Sequence, residues 1–132
     1  MFDKQFAELQ SYLREEKALE AEALRLNTGA YLITIKNLPI RAGWSLTAVD
    51  VLFVAPPGYP AAKPDCFWVS PRLRLANGGM PQNANDGSPI PGDPLPSRPT
   101  TWFSWHLQTW DPNRDKLSTF YSAILKRLIP AR

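Results

Sequence analysis

Few side chains in this sequence of 132 residues could do covalent or acid–base chemistry: there is one cysteine, Cys66, and one histidine, His106. In the stretch "TTWFSWH", Ser104 stands two residues before His106. In an extended segment the side chains at i and i+2 point the same way, so the imidazole could take the hydroxyl proton as a base or return it as an acid. Serine needs such a neighbour to act as a nucleophile, whereas cysteine carries some thiolate at neutral pH unaided. Cys66 is therefore the fallback nucleophile. Each candidate also has a plain structural reading. Cysteine is among the most buried residue types, and Cys66 opens the apolar run "CFWV". Ser104 and His106 could equally satisfy hydrogen bonds in an aromatic core. Ser88, in "NDGSP", has no base near it in sequence, and Asp65, Asp86 and Asp93 form no pair spaced for acid–base work.

Other chemistries are excluded by composition. A single cysteine cannot form an internal disulfide, and one histidine with one cysteine gives no zinc-type ligand set, so no metal is expected. "ANGG" lacks the spacing of a phosphate loop and does not join a strand to a helix, so no nucleotide cofactor is expected. The formal charge of +3 comes from scattered residues, which is weak support for nucleic-acid binding; single-strand binding would need the tryptophans exposed on one basic face. The start, "MFDKQFAELQ", has no apolar signal core, and no apolar run approaches a membrane span. The cytoplasm is the default compartment.

The elements that must position these residues can be read from periodicity. Phe2, Phe6, Leu9 and Leu13 fall on one helical face. Leu19 to Leu38 reads as a hairpin turning at "NTG", "GWSLTAVDVLFVAPP" as a third strand ended by Pro56 and Pro57, and "CFWVS" as a fourth. The stretch from Arg74 to Thr101 is crowded with Gly, Pro, Asn and Asp and reads as one long loop. Leu117, Phe120, Tyr121, Ile124 and Leu128 share a helical face, with Asp111 or Asp115 as cap and Pro130 marking the end. The expectation is a single α+β domain over 1–132: an N-terminal helix, a four-stranded antiparallel meander, a long active-site-like loop and a C-terminal helix.

Three local features make the chain resemble the ubiquitin-conjugating enzyme fold, and in particular its divergent prokaryotic family E. "PPGYPAAKPDCFWV" is similar to the family's Tyr-Pro signature with a downstream proline, matched by Tyr59, Pro60 and Pro64. "TWDPNRDKL" is similar to the tryptophan and proline that precede the helix after the active site, matched by Trp110 and Pro112. His106 after "WFSW" resembles the family E pattern of a histidine downstream of the usual catalytic position.

The resemblance implies acyl transfer, in which the activated C-terminal carboxyl of a ubiquitin-like protein passes from an activating enzyme to a nucleophile and then to an acceptor. It also implies a cysteine in the loop before Trp110, preceded by a His-Pro-Asn triplet. Here no cysteine follows Cys66, and "GMPQN" keeps only Pro81 and Asn83. Counting back from Trp110 as the family does reaches Thr100, Thr101, Ser104 and His106. The expectation is an oxyester on Ser104, activated by His106. Asn83 or Asn85 could donate to the oxyanion, or serve only as turn residues. The alternative is a non-catalytic variant that holds the ubiquitin-like protein or the activating enzyme, using the outer face of the first helix and the aromatic "WFSWHLQTW".

Overall fold

The apolar stripes become two helices packed on one face of a sheet. The computed structural model describes residues 1–132. Its elements are α1 (Phe2–Lys17), β1 (Ala21–Arg25), β2 (Tyr31–Pro39), β3 (Ala48–Ala55), β4 (Phe67–Ser70), β5 (Ala84–Asn85), β6 (Thr101–Phe103) and α2 (Leu117–Leu128). The α+β architecture with a helix at each end is the expected one. The antiparallel sheet runs in the order β1-β2-β3-β4-β6-β5, so the meander of four strands is extended by two short ones. The long stretch read as a loop therefore contains β5 and ends in β6. β6 supplies the pairing that the edge of β4 would otherwise lack, β5 in turn pairs with β6, and strands of two and three residues are too short to show alternation in a sequence.

Alternation along the long strands builds two cores. Ile33, Ile35, Val51, Phe53, Phe67, Val69 and Phe103 face Leu9 and Leu13 of α1 and Leu117, Phe120, Ile124 and Leu128 of α2. Leu32, Leu52 and Trp68 face the other way, onto Leu26, Ala30 and Ile90. A strand covered on both sides has no polar face, which is why "VLFVA" in β3 is continuously apolar. The stripe of α1 is narrower than its sequence implies: Leu9 and Leu13 are buried, Phe2 and Phe6 are half-buried, and Gln5 is buried among them. Gln5 has a task there, because its Oε1 accepts the otherwise orphaned N–H of Leu117 at the start of α2 (3.2 Å) and the Tyr59 hydroxyl.

Neither expected aspartate caps α2. The N-cap is Lys116, whose N–H donates to Thr119 Oγ1 at 3.0 Å. Asp111 instead closes the preceding turn: its carbonyl accepts the N–H groups of Arg114 and Asp115, and its side chain accepts that of Asn113. Asp115 accepts the Asp111 N–H at 2.7 Å.

The long connection is tied down by its own polar groups. Asp86 receives two N–H bonds from Arg74 and a hydroxyl bond from Thr101 at 2.8 Å, with Arg72 3.8 Å away. The Trp68 indole donates to the Ser88 carbonyl at 2.7 Å, and Ile90 is buried on the sheet. The Arg74 hydrogen bond, then that of Thr101, holds the Asp86 carboxyl below its ordinary value against the opposing effect of burial. A carboxyl lowered in the folded state contributes stability that is complete above about pH 4 and is lost as the pH falls through the folded value. Asp86→Asn is expected to cost about 2 kcal/mol near neutrality. Urea unfolding at pH 7 and pH 3 checks this: the variant should approach the wild type in acid.

Candidate active site

The residues singled out for chemistry converge where β4 and β6 run out. β6 pairs with β4 in the register Phe67↔Phe103 and Trp68↔Trp102. Continued unchanged, that register would set Cys66 opposite Ser104 and Asp65 opposite Trp105. Instead the Cys66 N–H donates to the Trp105 carbonyl at 3.0 Å, one residue further on. Cys66 itself takes a left-handed φ of 58° at this slip. A bulge of this kind re-aims the side chains beyond it. Here the new register sets Asp65 opposite His106.

Three contacts hold the exposed end of the strand. On one side the Ser104 N–H donates to the Asn83 carbonyl at 2.8 Å, continuing the β5–β6 ladder. On the other is the Cys66 bond to Trp105. Beyond it, Lys63 Nζ donates to the Leu107 carbonyl at 2.6 Å. On this frame Ser104 Oγ lies 3.1 Å from His106 Nε2, and His106 Nδ1 bonds Asp65 Oδ1. An ionised carboxylate only accepts, so the proton sits on Nδ1. Nε2 of the neutral ring is then a lone pair facing the serine hydroxyl. The arrangement has the connectivity of a nucleophile, a base and a group that orients the base.

The site is wet. The side chains of His106 and Asp65 are 47% and 57% exposed, which corrects the reading of His106 as a core histidine. Ser104 is half-buried. Beside them an open groove of about 530 Å³ is lined by Trp105, His106 and Leu107 on one wall and Ser118, Ser122 and Lys126 of α2 on the other.

The remaining candidates are occupied elsewhere. The half-buried Cys66 packs on the second core, and burial, with the neighbouring Asp65 charge adding to it, pushes its thiol up, away from thiolate. Thr100 and Thr101 are buried, and Thr101 Oγ1 serves Leu73 and Asp86. Ser88 contributes its carbonyl to Trp68. Asn83 is exposed and has a left-handed φ of 54° where its carbonyl meets Ser104, while the Asn85 side chain accepts the Gly87 N–H and is a turn residue. The tryptophans form no open stripe: Trp44 and Trp68 are buried, and Trp102, Trp105 and Trp110 are half-buried. That removes the platform which single-strand binding requires.

The motif residues form the support behind the site. Trp110 Nε1–H donates to the Pro60 carbonyl at 2.7 Å, and its ring lies 6.0 Å from that of Tyr59. Pro64 is buried one residue before Asp65, and Pro112 lies in the turn that Asp111 closes. Residues 7–131 match the family model described as Prokaryotic E2 family E.

The chain belongs to this family.

No curated protein and no solved structure matches it. Family membership gives the chain a ubiquitin-conjugating-like role in general, and with it the general partners of such proteins, a ubiquitin-like protein and an activating enzyme. No helix of this family E protein is long and apolar enough to cross a membrane. The residue that sequence reasoning missed is Asp65. It stands 41 positions from His106, and only the register slip at Cys66 joins the two.

Proposed function

We propose that the protein accepts the C-terminal acyl group of a ubiquitin-like protein from its activating enzyme onto Ser104, as an oxyester, and passes it to an acceptor. The observation that carries this reading is the hydroxyl of Ser104 at 3.1 Å from Nε2 of an imidazole whose Nδ1 bonds the Asp65 carboxyl group. In the acylation step Ser104 Oγ attacks the thioester carbonyl and its proton passes to His106 Nε2. The carbon–sulfur bond then breaks and the proton follows the departing thiolate.

Asn83 is the donor we assign to the oxyanion. It is exposed, and its carbonyl accepts the Ser104 N–H at 2.8 Å, which sets the residue beside the nucleophile. The groove beside His106 suits an extended carboxyl-terminal tail, with polar groups on the α2 wall to orient it. Tyr59, Pro60, Pro64, Trp110 and Pro112 act through the frame.

The test is incubation with the activating enzyme, ATP and the ubiquitin-like protein, followed by denaturing electrophoresis. An adduct that resists thiol reductant and is cleaved by hydroxylamine is the expected result. A reductant-labile adduct lost in Cys66→Ala would overturn the serine assignment. Tight binding of both partners with no covalent adduct would favour a holding module.

A further inference from the structure

A thiol carrier needs no base beside it once it is a thiolate, but a serine carrier must keep one within a hydrogen bond of its own ester. We infer that the same three residues, Asp65, His106 and Ser104, make the protein a hydrolase of activated esters and thioesters, with water as the acceptor. This rests on the reading of Ser104 as nucleophile and goes beyond it, because carrying an acyl group does not require water to remove it.

When the leaving group departs with its proton, His106 Nε2 is again a lone pair beside the acyl carbonyl on Ser104. The Asp65 bond holds the ring in place through both half-reactions. The His106 side chain is 47% exposed, so solvent reaches the same nitrogen. The water oxygen bonds to the carbonyl carbon while its proton goes to Nε2, and the carbon–Oγ bond breaks. Ser104 takes that proton back, and the carboxylic acid leaves. No oxidant, reductant or metal enters the balance. With the exposed His106 imidazole as the proton donor to the leaving group, the substrate class is an unhindered acyl group on a good leaving group such as a thiol or an activated phenol.

Full-length protein and p-nitrophenyl acetate test this without either conjugation partner. The expected result is a burst of about one nitrophenolate per chain followed by steady turnover, the signature of an acyl-enzyme that deacylates. Both phases should fall at least about 100-fold in Ser104→Ala and in His106→Gln. His106 is exposed, so the second variant keeps the test valid if the first folds poorly. A fluorophosphonate should label Ser104 in the wild type. Labelling or a burst with no turnover would overturn hydrolysis while leaving the acyl-carrier reading intact. Wild-type turnover equal to that of both variants, or none at all, would overturn the inference; oxyester formation with the ubiquitin-like protein is scored separately.

Discussion

Ser104→Ala is expected to abolish the covalent adduct with the ubiquitin-like protein, and Ser104→Cys to restore it in a chemically different form. Alanine removes a hydroxyl whose side-chain hydrogen bond is to an exposed imidazole, so the melting temperature should stay near that of the wild type. Loss of adduct would then report chemistry rather than unfolding. Cysteine at the same position places sulfur beside His106 Nε2, where an imidazole assists thiolate formation. Its adduct should be a thioester, cleaved by reductant that leaves the wild-type oxyester untouched. Cys66→Ala should leave the yield unchanged, because that thiol is half-buried on the second core and is pushed away from thiolate by burial and by Asp65. Adduct persisting at full yield in Ser104→Ala would sink the assignment. Mass spectrometry of the adduct locates the modified residue directly.

How far the sequence anticipates this site follows from the range of each interaction. Ser104 and His106 are neighbours in an extended segment, and their encounter depends only on the two-residue repeat of a strand. The stripe of α2 and the alternation of β2 and β3 are local in the same sense. Tyr59, Pro60 and Trp110 are legible because they occur as motifs, yet their contact through the Pro60 carbonyl spans 50 positions. β5 and β6 are not legible: each is defined by a partner strand distant in sequence, and neither has the length for a pattern. Asp65 combines both difficulties. Its partner is 41 positions away, and the unshifted register would have faced it to Trp105. The residue that makes the difference is Cys66, which attracts attention as a nucleophile and acts through its backbone N–H.

That backbone role makes Asp65 the most informative position after Ser104. Asp65→Asn is expected to lower the rate of oxyester formation by about 10- to 100-fold with little change in fold, since the side chain is 57% exposed, solvent screens its charge and the variant is nearly isosteric. The cause is the tautomer. A carboxylate can only accept, so it keeps the proton on Nδ1, whereas the amide of asparagine can donate to Nδ1 and drive the proton to Nε2. A protonated Nε2 cannot take the serine proton. The chain has one histidine, so the prediction can be read from a single imidazole by ¹⁵N NMR: Nδ1–H in the wild type, a shift towards Nε2–H in Asp65→Asn. A purely structural aspartate would move neither the tautomer nor the rate at constant stability. Asp65→Glu should recover part of the rate, because it returns the carboxylate at a displaced position. Retention of the rate within about threefold in Asp65→Asn would mean that His106 is oriented by the backbone of the Trp105–Leu107 segment alone, and the set would reduce to a Ser104–His106 pair.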